Sequence, residues 1–370
     1  MLLQSLLSTM SFASPDGNVH ATMRAYIQRS PTNQTFEPAF AVPAVGDLHR
    51  RYSGLPTSCE VLLQVAASSV NPSDVHPSVA ASELPHVLGS DVSGVVRQIG
   101  DGCTRLKPGD RVFGDIGANT HTSGLLKTKT KELGGYGEWA VALESQLGVV
   151  PDAIGLAEAA ALPKVALTSY KALVWYTGAL NTSGSPWADV PGGPVVLVLG
   201  GSGGCGTTGL QLARHFGASS LITTTAKANF DYCREAGATR LIDYQSEDWW
   251  KVLDDGSVDV IYDTVGQSGT GARAMAKLRN GGRYVTITGA LAPASAVKPG
   301  TQQHMFINSD TNLDSAALLD ALSQLMADDK LRMRHIQQTF ALEQVPAAFA
   351  ASETHMTVGK LVVNVTMAAS

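Results

Sequence analysis

One stretch limits what this chain can fold into more than any other. Val195 to Gly217 reads Val-Val-Leu-Val-Leu-Gly-Gly-Ser-Gly-Gly-Cys-Gly-Thr-Thr-Gly-Leu-Gln-Leu-Ala-Arg-His-Phe-Gly. The first five residues are continuously apolar and mostly β-branched, the pattern of a strand covered on both faces. Gly201-x-Gly203-x-x-Gly206 then fits a dinucleotide fingerprint, whose glycines permit a tight turn, a close approach of backbone to pyrophosphate and close helix packing. From Thr207, the spacing of Leu210, Ala213 and Phe216 predicts a helical inner face closed by Gly217. Strand before and helix after are the context that the fingerprint requires. The turn residues Gly201, Ser202, Gly203, Gly204, Cys205 and Gly206 are therefore candidate phosphate-binding positions at a helix start.

The following strand, Ser220 to Thr225, indicates which nucleotide. Where an NAD-binding unit places a carboxylate on the ribose, this chain has Thr225-Ala226-Lys227, a hydroxyl and an ammonium that suit a 2′-phosphate. NADPH is thus favoured over NADH, with Asp231 read as a surface residue. Cys205 is open to two readings. A helix N-terminus lowers a thiol's pKa and activates it, whereas burial beneath the turn raises the pKa and silences it.

Composition narrows the partners. A net charge of −5 with 16% charged residues leaves no basic excess for nucleic acid. No apolar run approaches the roughly 20 residues of a membrane-spanning helix. The four cysteines, Cys59, Cys103, Cys205 and Cys233, are far apart without metal-ligand spacing, which argues against a disulfide framework or structural zinc and for a reducing compartment. Residues 1–22 read as a flexible extension. They lack the basic start of a secretory signal, so the expected location is cytoplasmic, with a mitochondrial address as the alternative.

From Met23 short strands are expected at Met23–Gln28, Glu60–Ala66, Ser93–Gly100, Arg111–Phe113 and Gly137–Ala142, a β-rich domain. Ala118 to Leu133, with Lys127, Lys129 and Lys131, reads as a long polar loop, either solvated surface or a lid. Ile154–Trp175 is predicted helical in two pieces broken at Leu162-Pro163, and Asn181–Gly193 as surface loop. Beyond the glycine turn, strands at 240–244, 258–265 and 283–288 alternate with helices near 230–236 and 272–278, which implies a doubly wound parallel sheet. A further strand is expected at Met305–Asn308, helices at Ser315–Met326 and Val345–Ser352, and a last strand at Lys360–Val365.

Asn71-Pro72-Ser73-Asp74, Gly89-Ser90-Asp91-Val92-Ser93-Gly94, Lys107-Pro108-Gly109-Asp110-Arg111-Val112, Ala161-Leu162-Pro163-Lys164-Val165-Ala166-Leu167-Thr168, the glycine turn and Gly282-Arg283-Tyr284 occur in one order. Together they resemble the medium-chain dehydrogenase/reductase superfamily, in its zinc-free quinone oxidoreductase-like branch. The resemblance implies an α/β architecture: a GroES-like barrel domain from residues 23–155 plus 331–370, with a Rossmann domain at 156–330 inserted between. It also implies a cleft at their junction and a homodimer. Zinc-dependent members carry Cys where Asn71 stands and Gly-His-Glu where Gly89-Ser90-Asp91 stands, so a metal-free site is expected. Quinone reductases of the branch often have Tyr where this chain has His76.

By resemblance, Thr168, Thr264, Val265, Thr288 and Gly289 would line the nicotinamide and ribose, and Lys227 and Tyr244 the adenosine phosphate. Asn71 is a candidate donor to the acceptor or a turn residue before Pro72, and His76 a candidate acid or an exposed loop residue. Without a metal, reduction of a quinone or an α,β-unsaturated carbonyl is the easier chemistry, because hydride addition delocalises charge onto oxygen. The alternatives are an enoyl-thioester reductase of lipid metabolism and an NADPH-binding structural or regulatory protein with little turnover.

Overall fold

Strand β9 (Val195–Leu199) shows why the second half of the chain forms a two-sided sheet. Val196 and Val198 belong to one buried apolar cluster, and Leu197 and Leu199 to another. Side chains alternate across a strand, so a continuous apolar run requires cover on both faces. A computed structural model of the protein describes residues 21–48, 59–77, 84–117, 134–179, 187–306 and 316–366. Nearly all of the expected N-terminal extension, the loop at 118–133, residues 181–186 of the expected surface loop and residues 307–308 of the expected strand lie outside the described residues.

The first half is β-rich. Strands β1 (Thr22–Ser30), β2 (Asn33–Ala41) and β4 (His86–Val87) form one small sheet, in the order β2-β1-β4. β3 (Glu60–Ser69), β5 (Asp91–Ile99), β6 (Arg111–Asp115), β7 (Trp139–Leu143) and β8 (Gly148–Val149) belong to a second. That sheet runs β15-β16-β3-β5-β6-β8, with β7 also paired to β3. β15 (Ile336–Ala341) and β16 (Lys360–Asn364) come from the far end of the chain. Antiparallel pairing of Val362 with Ser69 and of Asn364 with Ala67 seats β16 in this sheet, as the family resemblance implies.

The inserted sheet holds β9, β10 (Ser220–Thr225), β11 (Arg240–Asp243), β12 (Val258–Asp263), β13 (Leu278–Thr286) and β14 (Gln302–Met305). Its order is β11-β10-β9-β12-β13-β14 and every pairing is parallel. Counted from β9 this is 3-2-1-4-5-6, the order of a dinucleotide-binding domain, with its switch point beside β9. The protein is a GroES-like barrel joined to a Rossmann domain.

The helices in chain order are α1 (Pro72–Val75), α2 (Leu156–Ala160), α3 (Pro163–Tyr170), α4 (Gly204–His215), α5 (Phe230–Glu235), α6 (Trp249–Val252), α7 (Thr270–Lys277), α8 (Ala316–Ala327) and α9 (Val345–Glu353). The expected break at Leu162-Pro163 is present: α3 starts with Pro163, where the missing N–H costs nothing. After Tyr170 the helix widens into a π-helical segment, Lys171–Tyr176. α3 packs on α4 from one domain and on β5 and β6 from the other, so it forms the wall between them.

Two expectations need correction, and two strands, β2 and β15, carry no signal in the sequence. β2 lacks an apolar pattern and contains Pro38, which a strand at a sheet edge tolerates. β15 alternates weakly and gave no signal for the same reason. The strand expected from Met305 lies earlier, at Gln302–Met305, because Gln302, Gln303 and His304 form the polar outer edge of the sheet, in register with Arg283, Tyr284 and Val285. Finally, Cys59 and Cys103 form a disulfide, with Cα atoms 4.9 Å apart. They are remote in sequence, but Val61 pairs with Ile99 across β3 and β5, and Gly100 N–H donates to Glu60 O, so the residues just outside those strand ends meet.

Candidate active site

The glycine turn lies at the carboxyl end of β9. A side chain at Gly206 would run into the Gly200 carbonyl, and one at Gly201 into Thr223, so neither position tolerates a Cβ. α4 has Gly203 as its N-cap and no side-chain cap, which leaves its first amides without a side-chain partner. These are the features a pyrophosphate needs, so the turn fits a dinucleotide. Gly201 N–H also donates to Thr224 O (3.0 Å), which fixes the turn against β10.

The other predicted cofactor residues gather on the same edge. Thr264 Oγ1 donates to Leu199 O (2.7 Å) and holds the loop after β12 against β9. Asp263, fully buried, accepts from Val265 N (2.9 Å), Gly266 N (2.9 Å) and Tyr284 OH (3.0 Å). Thr286 Oγ1 accepts from Gly289 N (2.8 Å), so Thr264-Val265 and Thr288-Gly289 form two adjoining rims. Val265 is 56% exposed there, an apolar platform at the strand ends. Sequence reasoning missed Asp263, although a carboxylate closing an apolar strand just before a turn is a recognisable signal.

Lys227 and Tyr244 are exposed where β10 and β11 end side by side, with Thr225 in register with Asp243. Thr225 is only 1% exposed, so of the two residues expected at a 2′-phosphate, Lys227 is the accessible one. Thr168, on α3, donates back to Lys164 O (2.7 Å). Its neighbour Ser169 bonds Cys205 O (2.8 Å) and meets Thr208 and Tyr262, which ties α3 to the glycine turn. Cys205 follows the second of its two readings. Burial is the dominant cause that pushes its thiol up to about 11, against the opposing Lys360 charge. The free thiol is therefore protonated at neutral pH.

Across the junction lies a buried polar cluster that the sequence did not announce. Asn71 is 3% exposed and fully engaged. Its Nδ2 donates to Asp91 Oδ2 (2.8 Å) and, at longer range, to Asp74 and Ser90, while its Oδ1 accepts from Lys360 Nζ (2.8 Å). Ser90 Oγ donates to Asp74 Oδ1 (2.8 Å), and Ser69 Oγ to Asp91 Oδ2 (2.8 Å). Asp91 Oδ1 accepts from the Lys164 N–H (3.0 Å), and Lys164 Nζ pairs with Asp115 Oδ2 (2.7 Å). Burial is the largest influence on Asp91 and raises its carboxyl to about 6, against the lowering effect of Lys360 and Lys164.

The cluster is wired to the glycine turn. Gly359 N–H donates to Ser202 O (2.8 Å), and the next residue, Lys360, reaches Asn71. His76 stands outside this arrangement: its side chain is 82% exposed and lies 3.4 Å from Glu353. The signal for the missed residues was Lys164 and Lys360 within otherwise apolar runs, since a lysine is rarely buried unless paired.

Among the described residues, the grouping of metal-ligand types with adjacent donor atoms is Cys59, Cys103 and Glu144. It is remote from the cluster. Its cysteines are bonded to each other, and Glu144 Oε1 accepts the N–H groups of Thr104, Arg105 and Leu106.

Fold and turn together define a two-domain dinucleotide-binding architecture with a polar junction. Family models agree: an alcohol dehydrogenase GroES-like domain matches residues 57–152, and a zinc-binding dehydrogenase domain residues 236–363. A 2-methylene-furan-3-one reductase of Solanum lycopersicum is 32% identical over 312 residues, 82% of this chain and 71% of that protein. An NADPH-dependent alkenal/one oxidoreductase of Arabidopsis thaliana, chloroplastic, is 30% identical over 311 residues, 82% of this chain and 72% of its own. The solved quinone oxidoreductase of Coxiella burnetii superposes with a TM-score of 0.70 at 25% identity, covering 93% of this chain and 99% of its own. The chain belongs to the medium-chain dehydrogenase/reductase superfamily, in its quinone oxidoreductase-like branch.

Proposed function

We propose that this protein is an NADPH-dependent reductase that transfers hydride to quinones or α,β-unsaturated carbonyls without a metal. The observation that carries the reading is the glycine turn, bonded through Gly359-Lys360 to a buried charged cluster across the junction. NADPH, when bound, supplies hydride from its nicotinamide C4. The turn from Gly201 to Gly206 would hold the pyrophosphate on the first amides of α4, and Lys227 and Tyr244 the phosphorylated ribose. Thr168, Thr264, Val265, Thr288 and Gly289 would border the nicotinamide. The acceptors named for the relatives share one chemistry: a 2-methylene-furan-3-one, an alkenal and a quinone each carry C=C conjugated to C=O.

The metal-free part rests on the cluster's own chemistry. Asn71 and Ser90 are poor zinc ligands, and the Lys360 and Lys164 side chains supply positive charge where a cation would sit. Asn71 fixes this array rather than contacting the acceptor, and His76 is assigned no catalytic step. The domain limits proposed are 23–155 plus 331–370 for the barrel and 156–330 for the nucleotide domain. The outer edge of β14, with Met305 exposed, supports a homodimer. No helix among the described residues is long and apolar enough to cross a membrane. The location we propose is cytoplasmic, where the Cys59–Cys103 disulfide is an exception to the usual reduced thiols.

Steady-state NADPH oxidation with quinones, alkenals, and crotonyl and longer enoyl thioesters tests the reading. Turnover confined to thioesters replaces it with the lipid enzyme. NADPH binding without turnover on any acceptor replaces it with the regulatory protein.

A further inference from the structure

We propose that Lys164 is the catalytic residue that binds the acceptor's oxygen and stabilises the negative charge formed there. The inference rests on the reductase reading and names the residue that completes it.

Hydride adds to the β-carbon of the conjugated acceptor, the C=C pair shifts toward the carbonyl, and a full charge develops on oxygen. The nicotinamide is oxidised, the acceptor is reduced, and water gives the proton that the enolate takes up at its α-carbon. A donor preorganised at that oxygen supplies the largest stabilisation such a site can offer.

The candidates in the junction reduce to one. Both Asn71 amide hydrogens face Asp91, Asp74 and Ser90, and its oxygen faces Lys360. Lys360 Nζ is engaged by Val70 O (2.9 Å) and Asn71 Oδ1 and lies 3.8 Å from Asp91. Ser90, Thr168 and Tyr136 donate their hydroxyl protons to protein acceptors. Lys164 has three ammonium hydrogens and, among the described residues, gives one, to Asp115. Its side chain is 12% exposed, so the remaining donors stand at a nearly dry surface.

Position supports the assignment. Lys164 lies in the first turn of α3, its N–H held by Asp91 in the barrel. The next residue, Val165, gives its carbonyl to Thr208 of α4 and abuts Gly204 of the glycine turn. Thr168 follows one helical turn later. The start of α3 thus bridges the barrel and the nucleotide turn, with the ammonium on Asp115 at the end of β6.

The charge is permanent. Burial alone would lower the Lys164 pKa, but Asp115 on β6, Asp91 on β5 and Asp74 on α1 outweigh it and hold it above the usual value, although Lys360 on β16 also carries positive charge. The Lys164 contribution to turnover should therefore be flat from about pH 7 to 9, above the titration of Asp91 and within the range over which an ordinary lysine already stays protonated.

The test uses Lys164→Met, Lys164→Arg and the double variant Lys164→Met/Asp115→Asn. The double variant leaves no unpaired buried carboxylate and carries the test should the single one fail to fold. Binding of 4-nitrophenol, followed by its colour, reads the site without turnover. The wild-type protein should bind it as the phenolate, Lys164→Arg should retain this, and the Met variants should lose about tenfold or more in affinity. With a quinone or enone, kcat should fall about 10²- to 10³-fold in the Met variants while NADPH affinity is unchanged. Wild-type preference for the neutral phenol, or Met variants that keep kcat within about threefold, would overturn the assignment. Absence of turnover in the wild type would instead remove the reductase reading and leave the phenolate measurement to judge Lys164.

Discussion

The two halves of the site are built on different principles. The nucleotide side is made by backbone: Gly201 and Gly206 leave no room for a Cβ, and α4 opens with uncapped amides. The side we propose for the acceptor is made by side chains, with Asn71, Asp74, Asp91, Asp115, Lys164 and Lys360 drawn from α1, β5, β6, α3 and β16. A backbone cradle tolerates no change of shape, and side-chain charge enters this side only at its rim, through Lys227. A side-chain site tolerates shape changes but fails when one charge loses its partner.

Changes on the backbone side should have the largest effect. Gly206→Val forces its Cβ against the Gly200 carbonyl, with the Gly201 Cα 2.7 Å away, so nucleotide binding measured by calorimetry should weaken by more than about 100-fold. Retained affinity would break the comparison, because the turn would then be adaptable. Lys227→Ala should remove most of the preference for NADPH over NADH, a factor of about 10 to 150 for one charge-assisted phosphate contact. Titration of both cofactors measures it, and a ratio unaltered by the substitution discards the contact.

Glu158→Gln probes the join between the halves. Arg332, on the chain returning to the barrel, grips Glu158 of α2 through Nε (2.6 Å) and Nη2 (2.8 Å), and its N–H reaches Gln211 of α4 (2.8 Å). Loss of this partly buried pair should cost about 1–3 kcal/mol in urea unfolding.

The fourth prediction concerns proton linkage. The folded Asp91 carboxyl titrates at about 6, above its ordinary 3.8, so the folded state binds the proton more tightly than the unfolded one. Its contribution to stability is full below pH 3.8 and declines as pH rises through 6. Asp91→Asn should therefore be more costly, relative to wild type, at pH 4 than at pH 7, with thermal unfolding at the two pH values as the check. A cost that grows toward neutral pH contradicts the sign. The smallest effect is expected at Cys205. Its pKa of about 11 predicts negligible iodoacetamide labelling, mapped by mass spectrometry, whether or not NADPH is present.

The same contrast explains how much the sequence revealed. β9 was legible to the residue because an apolar run ends where the sheet ends, and the glycine turn because spacing of glycines is a local property. The return of the tail to the barrel came through family resemblance, since no periodicity in Lys360 to Asn364 names β3 as its partner. Asn71 was singled out, but not Lys360, 289 residues away, which holds its oxygen. Lys164 was quoted within a motif without a role, because nothing near it in sequence reveals Asp115. Cys59 and Cys103 escaped for the same reason, their meeting being a consequence of the β3–β5 register.

The central claim is that hydride reaches a conjugated acceptor here with fixed protein charges in place of a metal. Its direct test is NADPH oxidation with a quinone and an enone by chelator-stripped protein, with metal content measured on the same sample. The account predicts undiminished turnover at far less than one metal per chain. Stoichiometric zinc in the untreated protein, with turnover lost on stripping and restored by zinc, would contradict it.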